Sequence, residues 1–190
     1  KYQICDTNFI TTDPNVIDFA DKSKTFFIPN VCDASIDYLE NYNSEHLEYD
    51  IFFALSHGQH RGGLKRGYKD ERVDFIKKIN SDQISTNFFG IDRQPVWGSD
   101  FFNEISKSKM GLNYNRGEAI KYYSSDRICS LVANGLLTFL QKGYEYEDFF
   151  EDKIHAVYYT SHEELIDKIK FYSNNFKERS AIAEKGKKQY

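Results

Sequence analysis

Residues 110–140 read MGLNYNRGEAIKYYSSDRICSLVANGLLTFL. Their first apolar run, Met110 to Leu112, ends in the polar loop Asn113-Tyr114-Asn115-Arg116-Gly117-Glu118, which carries one charge of each sign. After Tyr122 and Tyr123 comes Ser124-Ser125-Asp126, three residues whose side-chain oxygens can accept from the free amides at a helix start. Ile128, Leu131 and Val132 follow at helical spacing. Asn134-Gly135 supplies a left-handed stop. Leu136–Leu140 is a short apolar run of the kind buried in a parallel sheet. The order strand, polar loop, helix, strand is a unit of an open α/β sheet, where ligands bind beyond the carboxyl ends of the strands. The 113–126 segment is therefore expected at that edge, beside a helix start that favours anions.

The same alternation extends both ways. Upstream, Asp50–Leu55 reads as a strand leading into the Gly-rich basic loop Ser56–Gly67. Val73, Ile76 and Ile79 mark the next helix, and Ser85–Gly90 a second strand. A helix from about Ser99 buries Phe101, Phe102 and Ile105. Downstream, Ile154–Tyr159 is a strand. Ser161 and Glu164 form a capping box for a helix bearing Leu165, Ile166, Ile169 and Tyr172. A last helix, from about Phe176 to Lys185, ends near Gly186 with Lys185, Lys187 and Lys188 complementing its terminus. Residues 50–190 are thus expected to form a doubly wound, Rossmann-like α/β domain with a parallel sheet. Residues 1–30 read as strand (Phe9–Thr12), helix (from Asp13-Pro14) and strand (Lys24–Ile28), the remnant of a preceding domain. Residues 31–49 are polar and irregular, a crossover. The chain opens on Lys1 in what reads as mid-domain, so a longer protein is expected.

Composition narrows the function classes. A net charge of -4 gives no basic footprint for nucleic acid. Cys5, Cys32 and Cys129 have neither metal spacing nor an even-numbered framework, which fits a reducing, cytoplasmic setting. No run is long and apolar enough to span a membrane.

Several residues are candidates for chemistry. In the Gly58–Gly67 loop, glycines allow close backbone approach to a phosphate, and Arg61, Lys65 and Arg66 could neutralise a diphosphate. A solvated surface loop has the same composition. His57 could act as a base or touch a sugar; no partner ligands suggest a metal beside it or His60. Glu118 and Asp126 could hold sugar and ribose hydroxyls, yet Asp126 is equally explained as an N-cap. Arg127 opposes the dipole of its helix unless it faces an anion. Trp97 could stack on a base or simply pack.

With these residues placed, the chain resembles the C-terminal domain of group 1 glycosyltransferases of the GT-B fold, in the branch of CgeB-like spore maturation proteins. The resemblance covers about Asp50–Tyr190. It rests most on Ser125-Asp126-Arg127-Ile128-Cys129-Ser130-Leu131-Val132-Ala133-Asn134-Gly135, and on Asp148-Phe149-Phe150, Glu163-Glu164-Leu165 and the closing Arg179, Ile182, Ala183 and Gly186. It implies a nucleotide-sugar donor site; within it the reading of the residues makes Glu118 and His57 the catalytic candidates, the Glu118/Asp126 pair having the family's spacing but standing four residues away from the family's pair. Gly58, Arg61, Lys65, Arg66, Asn115, Arg116, Tyr123, Ser125, Asp126 and Arg127 would bind the donor. It implies no cofactor and no metal. The acceptor, a glycan, lipid or protein, would be met by residues 1–30 and what precedes them, a part that could also touch a membrane surface. The family's ribose-holding glutamate falls at Ser130, and its partner eight residues earlier at Tyr122. Two rival readings follow: a nucleotide-sugar epimerase of GT-B type, and a catalytically inactive envelope or spore-coat interaction module.

Overall fold

Alternation along one strand explains the layers. In the strand Tyr49–Ala54 (β3), Ile51 and Phe53 enter the core on one face of a sheet while Phe52 enters the core on the other. A strand buried on both faces must be covered by helices on both. The computed structural model describes residues 5–56, 72–80 and 83–190. The loop residues His57, Gly58, Arg61, Lys65 and Arg66 lie outside them.

Two parallel sheets are present among the described residues. Asn8–Ile10 (β1) pairs with Thr25–Phe27 (β2). The larger sheet joins β3 to Thr86–Phe89 (β4), Ser108–Asn113 (β5), Leu137–Gln141 (β6) and Val157–Tyr159 (β7) in the order β4-β3-β5-β6-β7, every pairing parallel. One face is covered by Arg72–Asn80 (α1) and His162–Asn174 (α4), through Val73, Ile76, Ile79, Leu165 and Ile169. The other carries Gly98–Ile105 (α2) and Arg127–Ala133 (α3), through Ile105, Leu131 and Val132. Phe176–Gln189 (α5) packs against α3 and β6. The helix Ser161 starts is capped as expected, its side chain accepting from Glu164 N–H at 3.2 Å. Glu164 reaches one residue further back, to the Thr160 N–H.

Two sequence expectations are corrected. The helix from Asp13-Pro14 is one 3-10 turn, Pro14–Val16, although Asp13 accepts from the Asn15 N–H at 2.8 Å and so caps it. Val16 and Phe19 remain exposed, and so short a segment with no apolar face to bury is marginal as a helix. The last helix does not stop at Gly186 but runs to Gln189. Gly186 is there for closeness: a Cβ would lie 2.3 Å from the His155 carbonyl oxygen. Gly135, by contrast, is a stop, at φ +74°.

Gly111 sets the height of α3 above the sheet. A Cβ there would lie 2.5 Å from Leu131 Cδ2. The missing side chain on β5 is what lets α3 sit directly on the strand.

Adjacent tyrosines on β7 give a stability test. Tyr158 donates its hydroxyl to the Phe150 carbonyl at 2.8 Å. Among the described residues the buried Tyr159 hydroxyl has no hydrogen-bond partner. Tyr158→Phe is expected to cost about 1 kcal/mol, the net worth of one hydrogen bond plus a stranded carbonyl, whereas Tyr159→Phe leaves stability unchanged or raises it. Urea denaturation of both variants checks the contrast. An equal loss in the two would contradict it.

Candidate functional site

The order β4-β3-β5 contains a reversal. The chain steps outward from β3 to β4 and then returns to β5 on the other side of β3. Connections that leave β3 and β5 on opposite faces open a crevice between their carboxyl ends.

Arg127, the first residue of α3, lies across that crevice. Its Nε donates to the Ala54 carbonyl at the end of β3, and its Nη1 donates to Asn113 Oδ1 and the Tyr114 carbonyl at the end of β5, each at 3.3 Å. Its guanidinium stands 4.7 Å over the Phe53 ring. Arg72 Nη1, from the start of α1, donates to the same Tyr114 carbonyl at 3.3 Å. Two cations therefore meet at one oxygen. Among the described residues no carboxylate forms an ion pair with Arg127. Burial, and then repulsion from Arg72, push its pKa down from the usual guanidinium range to about 10. A charge held against desolvation and repulsion is suited to an anion.

Behind it, Tyr114 OH meets His162 Nε2 at 3.4 Å, and His162 stacks on Phe75 at 3.6 Å. Burial lowers the His162 pKa, so the ring is neutral packing that steadies the Tyr114 turn. Neither Arg72 nor His162 was singled out from sequence. The signal for Arg72 was available, a cation opening the helix that follows the Gly-rich loop.

A cleft of about 300 Å³ opens beside Arg127. Ala54 and Ser56 form its floor, Trp97, Gly98 and Phe101 one wall, and Ser125, Asp126, Arg127 and Ser130 the other. Ser125 donates its hydroxyl to Asn113 Oδ1 at 3.3 Å. Trp97 is 61% exposed at the rim. Asp126 occupies the N-cap position of α3, but its side chain makes no cap hydrogen bond. The reason is its backbone: φ −54° and ψ −16° are helical, and a capping side chain needs an extended residue to reach the next amides. The capping role expected of Asp126 is thus not realised, and its carboxylate is left on the cleft wall. The helix itself spans seven residues, too short for a strong macrodipole, so Arg127 rather than the helix start supplies the positive field.

Other candidates lie elsewhere. Asn115 is buried, donating to Tyr146 OH at 2.9 Å and to the Tyr123 carbonyl at 3.4 Å, so it ties the loop down. Arg116 and Glu118 are exposed, and neither they nor Tyr123 line the cleft. The loop is drawn away because the Lys121 carbonyl accepts from the Asp13 N–H at 3.1 Å and Thr12 Oγ1 at 2.7 Å, and Lys121 pairs with Glu145 at 2.8 Å. Tyr122 packs on Phe27 and Phe149. Among the described residues no three acidic, histidine or cysteine side chains could share a metal ion, and no helix is long and apolar enough to cross a membrane.

Comparison with known proteins bears on this site. Residues 66–190 match the family model described as glycosyl transferase-like. No curated protein matches the chain. Among solved structures, the crystal structure of TarM is similar over 99% of this chain, with a TM-score of 0.62 and 11% sequence identity. The chain spans 40% of the length of TarM. At that identity the likeness is one of fold: the five-stranded parallel sheet with helices on both faces matches a Rossmann-like half of the GT-B architecture.

Proposed function

The chain belongs to the glycosyl transferase-like family, and from that premise we propose that it is the donor-binding part of a nucleotide-sugar-dependent glycosyltransferase. The observation that carries this reading is Arg127, a desolvated cation without an ion-pair partner among the described residues, set at the topological switch point of the sheet. The donor's diphosphate meets Arg127 and Arg72. Arg61, Lys65 and Arg66, which lie outside the described residues, are further candidates for it from their sequence alone. As the bond from the sugar to the diphosphate breaks, negative charge grows on the leaving phosphate. Cations held in place by Ala54, Asn113 and Tyr114 stabilise it without reorganising, and no metal is required in this reading. The nucleoside lies in the cleft under Trp97.

In the same reading residues 1–30 belong to a second, acceptor-facing domain. Phe9 and Phe26, exposed and 6.2 Å apart on the two-stranded sheet, are surface such a domain would bury. The acceptor is a glycan, lipid or protein, the branch CgeB-like and the setting cytoplasmic. One observation favours a non-catalytic alternative: Ser130, on the cleft wall, stands where the family's ribose-holding glutamate would be.

A thermal-shift panel of UDP, GDP, CMP and dTDP sugars tests the proposal. One class should raise the melting temperature in proportion to the logarithm of its concentration, because a ligand of the folded state stabilises by mass action. Flat melting across every nucleotide would remove the donor-binding reading. Binding without hydrolysis or transfer would favour the inactive module.

A further inference from the structure

We infer that a second cavity, separate from the cleft, binds one small uncharged aromatic molecule, and that its occupancy pins residues 27–30 to the turn before α3. The cavity measures about 150 Å³ and lies between the end of β2 and the loop holding Tyr122 and Ser124. Its walls are largely rings. Phe27 stacks on Phe149 at 5.3 Å and meets Tyr122 at 4.9 Å, and Phe150 stacks on Tyr190 at 5.8 Å. No charged side chain lines it among the described residues. Most of the polar groups on its wall are turned to the protein. Asn30 Nδ2 donates to the carbonyl and the hydroxyl oxygen of Ser124, each at 3.2 Å. Gln189 Nε2 donates to the Phe149 carbonyl at 3.0 Å. The Tyr190 hydroxyl donates to the Asn30 carbonyl, and the Tyr146 hydroxyl to the Tyr123 carbonyl.

The chemistry of the guest follows from these groups. Polar atoms already engaged offer little to an ordered water, and an apolar cavity of about 150 Å³ that stays dry takes in a benzene-sized molecule. Aromatic walls gain most from another ring, edge to face or offset against their own. Charge is excluded, because a carboxylate or ammonium entering the cavity would be desolvated with no counter-ion to meet it. Position gives occupancy its consequence. Phe27, Pro29 and Asn30 belong to the N-terminal segment, whereas Tyr122, Ser124 and Ile128 belong to the lead-in and first turn of α3. A guest makes apolar contact with both at once and so holds them together. The cavity and the cleft share no lining residue yet flank one turn: Ser124 and Ile128 line the first, and Ser125, Asp126 and Arg127 the second. The turn that is pinned is therefore the one that leads into Arg127.

The test titrates the chain with phenol and indole as neutral probes and with benzoate and benzylammonium as charged ones, followed by calorimetry and ligand-observed NMR. A neutral probe is expected to bind with a dissociation constant of about 1 mM or tighter, in keeping with its few atoms. It should bind at least about 10-fold more tightly than either charged probe. Binding should slow amide hydrogen exchange at Phe27, Asn30 and residues 122–124. Thr11→Phe fills the cavity from the N-terminal side. It should weaken the neutral probe at least about 10-fold and slow the same amides with no probe present. Phe27→Ala takes away a ring of the wall and should weaken the probe too, which keeps the test open if Thr11→Phe does not fold. No binding of either neutral probe at about 10 mM, benzoate bound as tightly as phenol, affinity untouched by both substitutions, or unchanged exchange at those amides would each overturn the inference. Every one of these results is read without a nucleotide, so the donor-binding reading stands or falls separately.

Discussion

Arg127→Met should abolish stabilisation of the protein by nucleoside diphosphates while leaving the apo protein close to its original stability. The two halves of this expectation have different causes. The guanidinium is desolvated enough to hold its pKa near 10, so folding works against its charge. From about pH 10 up to the ordinary guanidinium range the unfolded state would bind the proton more tightly than the folded state. Stability contributed by this group therefore rises with pH across that window and is at its lowest below it, in the neutral range. Removing the charge releases that penalty. Set against the release are three hydrogen bonds of 3.3 Å to the ends of β3 and β5, each worth about 1 kcal/mol at most at such a length. Methionine keeps an apolar chain near the Phe53 ring, and Arg72 still donates to the Tyr114 carbonyl. A net change below about 1 kcal/mol is expected in the apo protein. The ligand has no such compensation. Losing a charge-assisted contact to a diphosphate costs about 2–3 kcal/mol, some 30- to 150-fold in affinity. Urea melts with and without nucleotide separate the two effects. A large loss of apo stability with ligand affinity retained would make Arg127 a structural bracket for the strand ends and nothing more.

Gly111→Val is the substitution expected to do most damage to the fold. A Cβ at residue 111 falls 2.5 Å from Leu131 Cδ2 and 2.8 Å from Cδ1, in a region where Leu131 itself is fully buried. The leucine cannot swing into solvent, so α3 must lift from β5. Overpacking of this kind costs about 1–3 kcal/mol, and valine's two further methyl groups put the expected value at the upper end. Because Asp126 and Arg127 open the same helix, nucleotide binding should fall together with stability. The double variant Gly111→Ala with Leu131→Ala gives the sharper measurement. If the clash is the cause, removing the leucine methyls makes the pair less damaging than the sum of the single changes. Strict additivity would mean that Gly111 matters for another reason.

The architecture was legible because burial on both faces of a sheet leaves a pattern that neighbouring residues carry by themselves. Ile51, Phe52 and Phe53 are all apolar because helices cover both faces of the sheet, Ile51 and Phe53 meeting one layer and Phe52 the other. The spacing of Val73, Ile76 and Ile79 needs no knowledge of what they touch. Boundaries failed where a local signal had two meanings. Gly186 looks like a helix stop in sequence and is a point of close approach to His155. Asp13-Pro14 begins a helix by every local rule, yet a helix also needs a surface on which to bury its apolar face.

The site was only partly legible, for a physical reason. Sequence alone determined that strands and helices alternate through residues 50–190, that the 113–127 segment joins one strand to one helix, and that a cation opens that helix. These follow from periodicity and adjacency, which the chain encodes locally. Tertiary structure decided which of the polar residues share a cleft. Glu118 and Asp126 are eight positions apart, but hydrogen bonds from Thr12 and Asp13 to the Lys121 carbonyl carry the first part of the loop away from the cleft. Asp126 reads as a cap until its backbone turns out helical and its carboxylate stands free of the amides it was expected to hold. Arg72 and Arg127, 55 residues apart, meet at the Tyr114 carbonyl only because α1 and α3 both start at the carboxyl edge of one sheet. Convergence of this kind depends on strand order, and strand order is set by packing between distant elements, to which local sequence is blind.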